Sequence, residues 1–200
     1  MTELLPRIQE LSGLASLGPI QVERRDRDEL RTYLIEQLER ELPPEQVEGI
    51  EATYRLLGLL PDTLDLRALL LELYTEQVLG YYAPEMETLY LVEGAQPEAL
   101  RPILAHEIVH ALQDQHAPLD SLTSPARGND RRLAAQAALE GHATLVMLRF
   151  ILEDRLGREI PPGALPDLGA QLDVAVAMRG GDFPVFDASP AIIRETLIYP

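Results

Sequence analysis

The chain contains no cysteine among its 200 residues, which excludes disulfide bonds and thiolate metal sites. Any transition metal would therefore be bound by imidazole and carboxylate groups. No apolar run approaches the length of a membrane span, and the first residues, MTELLPRIQELSGLASLG, lack the basic start and apolar core of a signal peptide. These absences predict a soluble chain without a membrane segment, cytoplasmic or exported after removal of a leader.

Lysine is also absent, and the 17 basic residues, all arginine, face 33 acidic ones, for a net charge of −16. This charge argues against binding to nucleic acid or to an anionic membrane, because phosphate contacts need clustered cations. The hydrophobic content of 46% is enough to bury a core. Length and composition together predict one domain over residues 1–200.

The N-terminal region, residues 1–79, is predicted to hold one short strand and amphipathic helices. PIQVERR reads as the strand, and DELRTYLIEQLEREL as a helix capped by Asp26 or Asp28. A second helix is expected at about 45–57. A third, DLRALLLELYTEQVLG, begins after the cap Asp65, and YYAPEMETLYLVE then predicts a β-hairpin.

Two long helices are predicted in residues 80–157, after the hairpin. Pro97 or Pro102 opens the first, and Asn129 or Asp130 caps the second, RRLAAQAALEGHATLVMLRFILEDRLG. The glycine inside the second helix, Gly141, costs roughly 1 kcal/mol against alanine, for which close packing is one possible reason. Residues 158–200 are expected to form an irregular tail, in which the proline-rich segment REIPPGALPDLG is followed by a short helix. The fold class expected from these elements is α+β and mostly helical.

Three of the four histidines lie in the stretch LAHEIVHALQDQH, which has the apolar rhythm of a helix. A helix turns by about 100° per residue, so His106 and His110 lie roughly 40° apart, and Glu107 is offset from His110 by roughly 60°. One metal ion can therefore reach both rings. In this H-E-x-x-H pattern two imidazoles bind zinc and the glutamate accepts a proton from water. The alternative is a helix whose two histidines make ordinary hydrogen bonds.

Three side chains compete for the third ligand position. His116 has the spacing of the last histidine in H-E-x-x-H-x-x-G-x-x-H, but Gln113 replaces the glycine that turns the chain back. A continuing helix would carry His116 roughly 120° away from His110. His142 and Glu140 lie two residues apart on the next helix, so only one of them can serve. Glu140 shares its face with small or apolar residues, where a carboxylate needs a metal or a cation such as arginine.

The stretches GYYAPEMETLYLVE, HEIVHALQD and EGHAT resemble segments of the zincin metallopeptidases, in particular the gluzincin branch that includes thermolysin and a group of bacterial zinc-dependent peptidases. The resemblance covers about residues 80–147. It implies a zincin-like domain with a small sheet or hairpin before the zinc helix and a long second helix that carries the third ligand. It assigns that ligand to Glu140 and implies a supporting carboxylate at Asp114. His142 departs from the family pattern, which often has an acidic residue there, and is expected beside the ligands.

The function that this resemblance implies is hydrolysis of peptide bonds. One Zn²⁺ would be bound by His106, His110 and Glu140, and Glu107 would act as the base toward a peptide or protein substrate. The alternative is a catalytically silent zinc-binding or protein-interaction module of the same fold. Since similar peptidases continue past a segment like RETLIYP, we also expect the natural protein to extend beyond Pro200.

The resemblance also implies roles for the hairpin and for nearby tyrosines. The strand residues Leu89, Tyr90 and Leu91 would border the cleft as a sheet edge, to which an extended peptide could add as a strand. A developing oxyanion needs a hydrogen-bond donor. The candidate donors are Tyr81, Tyr82 and Tyr199.

Overall fold

The computed structural model describes residues 3–94, 97–161 and 183–198, and these are mostly helical with a small three-stranded sheet. The α+β, mostly helical class is therefore confirmed. The strands are β1 (Gln21–Arg25), β2 (Gly80–Ala83) and β3 (Thr88–Val92). The helices are α1 (Leu4–Ser12), α2 (Arg27–Glu41), α3 (Pro44–Leu56), α4 (Leu66–Gln77), α5 (Pro97–His116), α6 (Leu119–Leu122), α7 (Asn129–Leu156), α8 (Pro184–Ala188) and α9 (Ala191–Ile198). None of the helices described is both long enough and apolar enough to cross a membrane.

The chain divides into two compact units. The first comprises residues up to Arg24 together with those from Leu79 through α7, and the second comprises Arg25–Val78 with residues 183–198. Each unit has its own cluster of buried apolar side chains, which is the physical reason for the division.

In the second unit, two helices begin at the caps that the sequence predicts. The Asp26 carboxylate accepts hydrogen bonds from the backbone N–H groups of Asp28 and Glu29, and the Glu29 side chain accepts the Asp26 N–H in return. Asp65 caps α4 by accepting the N–H of Ala68 at 2.9 Å. These bonds satisfy N–H groups that the first turn of a helix leaves without partners.

The tail is not wholly irregular, because α8 and α9 lie within it. The Glu76 carboxylate of α4 accepts the backbone N–H groups of Val185 and Phe186 at 2.9 and 3.0 Å, which fixes the start of α8. Phe186 and Ile193 are buried in the core of the second unit. Residues 162–182 of the predicted tail lie outside the described residues.

In the first unit, α5 and α7 pack together through apolar stripes. The members of the shared apolar core are Ala105, Ile108, Val109 and Leu112 on α5, and Ala143, Val146 and Phe150 on α7. Pro97 opens α5, whereas Pro102 lies inside it. The cap predicted for α7 was wrong: Gly128, with a left-handed φ of 83°, precedes the first helical residue, Asn129. Glycine adopts this conformation without the steric cost other residues incur.

The sheet has the order β1-β3-β2, so β3 is the middle strand. β2 and β3 pair antiparallel, with Tyr82 opposite Leu89 and Gly80 opposite Leu91. The expectation that Leu89–Leu91 forms a sheet edge is therefore corrected, because both sides of β3 are occupied by neighbouring strands. β2 lies against α5 so closely that a Cβ on Gly80 would meet the Ile103 side chain at 2.8 Å. The glycine thus permits the contact that places β2 beside the histidine helix.

Candidate metal centre

His106 and His110 lie one turn apart on α5, on a different face from its buried apolar stripe. The stripe fixes the rotation of the helix, so both rings are directed into a cleft on the other side. Their side chains are 18% and 12% exposed, which leaves them accessible from the cleft but largely protected from water. The predicted i, i+4 relationship of the two histidines is thus present in the fold.

Glu140 of α7 completes a compact triangle of three donor atoms. The Nε2 atoms of His106 and His110 are 3.0 Å apart, and Glu140 Oε2 lies 3.2 Å from the first and 3.5 Å from the second. Ligands about 2.0–2.1 Å from a tetrahedral zinc are about 3.3 Å from one another. The three distances therefore fit one face of a zinc tetrahedron, and two imidazoles with one carboxylate are a donor set that zinc accepts.

Glu140 and Glu153 are two acidic residues of α7 whose ion-pair partners differ in kind. Glu153 forms ion pairs with the guanidinium groups of Arg7 and Arg149. Among the described residues, the ion-pair partners of Glu140 are the two histidines, which balance a carboxylate only when they carry a proton or share a metal. The Glu140 side chain is 42% exposed and borders the cleft, and its partners are two imidazoles in place of an arginine.

The charges of the three side chains are strongly coupled in the metal-free protein. Burial alone would lower the pKa of His110, but its hydrogen bond to Glu140 and the charges of Glu107 and Glu140 outweigh this effect and raise the pKa to about 9. Burial alone would raise the pKa of Glu140, but hydrogen bonds and charges of the two histidines hold that pKa well below its usual range. Without a metal, the cluster therefore retains a proton near neutral pH.

Glu107 lines the same cleft and is tied to the sheet. Its Oε2 atom accepts the backbone N–H of Tyr82 in β2 at 2.9 Å. Burial raises the pKa of Glu107 above its usual range, while the nearby imidazoles and the Tyr82 amide act in the opposite direction. A raised pKa makes Glu107 a stronger proton acceptor than an exposed carboxylate.

The cleft is a cavity of about 340 Å³ whose walls come from several elements. β2 and the turn after it form one wall, α5 carries the two histidines and Glu107, and α6 and α7 form the rest. The lining residues outside the candidate ligands and Glu107 are Tyr81, Tyr82, Pro84, Leu119, Thr123, Gln136 and Leu139. The lining is therefore more apolar than polar, and Thr123 and Gln136 add polar groups outside the candidate ligands.

The tyrosines predicted as oxyanion donors have different environments. The Tyr82 hydroxyl donates to Asp114 Oδ2 at 2.8 Å, so its proton is already committed. Burial, followed by that bond, raises the pKa of Tyr82 well above its usual range. Tyr81 lines the cleft and its ring stacks on Tyr90 at 5.2 Å. Tyr199 lies outside the described residues.

Asp114 does not contact the candidate ligands directly. Besides the Tyr82 hydroxyl, it accepts the backbone N–H of Leu119 at 2.8 Å and so connects α5 to β2 and α6. Its influence on the site passes through Tyr82, whose backbone N–H binds Glu107. Asp114 therefore holds Tyr82 and the start of α6 in place, and its support of the candidate ligands stays a prediction.

His116 is remote from the site, because α5 continues through Gln113 as the sequence predicts. Its Nε2 atom lies 2.8 Å from the carbonyl oxygen of Ala15, and its side chain is exposed. His142 lies closer to the site and is connected to it through Gln113, whose side-chain Nε2 is 3.1 Å from His142 Nδ1. Gln113, 2.9 Å from His110 Nδ1, was missed by the sequence reasoning, although its position three residues after His110 is a usable signal.

Comparison of the chain with protein-family models, with curated proteins and with solved structures finds no match. The assignment of function therefore rests on the geometry and chemistry of the site.

Proposed function

We propose that the chain is a zinc-dependent peptidase with a zincin-like, gluzincin-type site. The observation that carries the proposal is the convergence of His106, His110 and Glu140 on one point of a cleft that Glu107 also lines. The donor atoms come from α5 and α7, and they lie within 4.8 Å of one another. The i, i+4 spacing alone places the two histidines side by side, whereas the Glu140 carboxylate is brought to them by the packing of α7 against α5.

The donor set favours a catalytic zinc over a structural one. Structural zinc sites are closed by four protein ligands, whereas catalytic sites have three and keep one position open. Among the residues described, the cluster has three members, and it borders a cleft of about 340 Å³. Zn²⁺ bound there would polarise a peptide carbonyl and lower the pKa of a water molecule.

Glu107 is the residue that would move the proton. Its Oε2 atom is held by the Tyr82 N–H, which fixes the carboxylate beside the two imidazoles. Its raised pKa suits a group that first takes a proton from the attacking water and then gives it to the departing amine. No covalent bond to the protein is needed, and the protons balance over the cycle.

The substrate class follows from the cleft walls. A lining that is more apolar than polar, beside a strand, is suited to a peptide that lies extended along β2, with one apolar side chain in the cavity. β2 replaces β3 as the bordering strand in this proposal, because Tyr81 and Tyr82 contact the cavity and Leu89–Leu91 does not line it.

The proposal is tested on the full chain by elemental analysis and by hydrolysis of casein and of quenched peptides. We expect one zinc per chain and hydrolysis that a chelator abolishes and added zinc restores. Zinc without hydrolysis would favour the catalytically silent module of the same fold. Protein with no zinc, and no gain from added zinc, would contradict both functions.

A further inference from the structure

A chain of hydrogen bonds leads from His110 through Gln113 and His142 to the backbone of α1. Gln113 Oε1 lies 2.9 Å from His110 Nδ1, and Gln113 Nε2 lies 3.1 Å from His142 Nδ1. His142 Nε2 lies 3.2 Å from the carbonyl oxygen of Ser12. Gln113 is only 7% exposed, so these bonds are made in a place where unpaired polar groups are costly.

Two backbone carbonyls determine the direction of every bond in this chain. The Gln113 Nε2 group donates to the carbonyl oxygen of Leu139 at 3.1 Å, and that oxygen can only accept. The amide oxygen of Gln113 therefore faces His110, whose Nδ1–H must donate. At the other end Ser12 O can only accept, so His142 donates from Nε2 and accepts at Nδ1 from Gln113.

The consequence falls on the ligand atom of His110. A ring whose Nδ1 is committed as a donor turns its Nε2 toward His106 and Glu140, where a metal would be bound. Gln113 also joins α5 to the residue that precedes Glu140 on α7, so one side chain connects the helices that carry the three candidate ligands. We propose that Gln113 is a positioning residue that selects the Nε2-ligating form of His110, with His142 holding the Gln113 amide in place.

This inference rests on the proposed function and is tested on the full chain with zinc itself as the probe. Gln113→Leu removes both halves of the amide, whereas Gln113→Glu keeps an acceptor for His110 and loses the donors to Leu139 and His142. His116→Ala is the matched control, because it breaks another bond between α5 and a backbone carbonyl. Zinc affinity is measured by competition with a chromophoric chelator.

We expect zinc affinity to fall roughly 10–100-fold in Gln113→Leu and by less in Gln113→Glu, while His116→Ala stays at the wild-type value. Long-range ¹H–¹⁵N spectra of the imidazoles give a readout that a merely structural role would not change. In zinc-loaded wild type, His110 should carry its proton on Nδ1. Wild-type affinity in Gln113→Leu, or a His110 proton on Nε2 in the zinc-loaded protein, would overturn the inference.

If Gln113→Leu does not fold, the zinc affinity of Gln113→Glu and the wild-type spectrum test the inference instead. A Gln113→Glu affinity equal to that of His116→Ala contradicts the inference, and a lower Gln113→Glu affinity supports it. If wild type binds no zinc, the proposed function fails on its own. The metal-free spectrum then still tests the hydrogen-bond chain, which requires the His142 proton on Nε2 and is contradicted by a proton on Nδ1.

Discussion

The Nε2 atoms of His106 and His110 lie 3.0 Å apart, a separation at which two bare ring nitrogens repel each other. A proton or a metal ion between them and Glu140 removes that repulsion, and both states use the same three donor atoms. The metal-free protein is therefore expected to exchange a proton for zinc.

This exchange predicts proton release on zinc binding. Because the pKa of His110 is raised to about 9, the metal-free site is protonated at pH 7.5 and should release about one proton when zinc binds. Calorimetric titrations in two buffers with different ionisation enthalpies measure this number. Binding with no proton release would mean that the site is deprotonated before the metal arrives.

The stability of the metal-free protein should fall between pH 6.5 and 9. His110 has a folded-state pKa of about 9 against an ordinary value of 6.5, so its contribution is complete below pH 6.5 and lost as the pH rises through 9. Glu140 has a lowered pKa, and its contribution, present above pH 4.5, is constant in this window. We expect a loss of roughly 1–3 kcal/mol in urea unfolding.

Zinc should reverse the sign of this dependence, because the ligands bind metal only when deprotonated. The zinc-loaded protein is expected to gain stability from pH 6.5 to 9. The control is His110→Gln, in which the metal-free loss should disappear. A metal-free loss that persists in His110→Gln would show that another group causes it.

Substitution of each of the three candidates for the third ligand position should reduce zinc affinity by a different amount. Glu140→Ala removes a donor atom and should weaken binding by at least about 100-fold. His142→Ala acts only through Gln113 and should cost at most roughly 10–100-fold, and His116→Ala should change little. Metal titrations of the three proteins measure this order, and full affinity in Glu140→Ala would remove Glu140 from the ligand set.

Gly141 should be replaceable with a gain in stability. A Cβ at this position would meet nothing within 4 Å, so the close packing expected from the sequence is absent among the described residues. Gly141→Ala should stabilise α7 by roughly 1 kcal/mol in the helix interior. Urea unfolding measures the gain, with zinc affinity as the control. A loss of stability would indicate a contact on this face of α7.

The parts of the site that were predictable from the sequence are those set by local spacing. His106, Glu107 and His110 follow from the turn of one helix, and the caps Asp26 and Asp65 follow from their own first turns. Such features depend on neighbours within one or two turns of chain.

Features set by tertiary pairing were less predictable. Glu140 lies 34 residues from His106 in sequence, and it was inferred from a family resemblance and from the cost of a buried carboxylate. The order of the strands was not foreseen, because the pairing of β1 with β3 joins distant parts of the chain. Gln113 was missed although it lies three residues after His110, since its bonds to Leu139 and His142 form only when α7 packs beside α5.

The most direct test of a peptidase site with Glu107 as its base is Glu107→Gln, assayed for bound zinc and for peptide hydrolysis in the same preparation. The amide keeps the size of the side chain and an oxygen for the Tyr82 N–H, but it accepts no proton. We predict one zinc per chain, as in wild type, and turnover lower by roughly 10²–10⁴-fold. Undiminished turnover with zinc bound would contradict the role of Glu107 and, with it, the proposed mechanism.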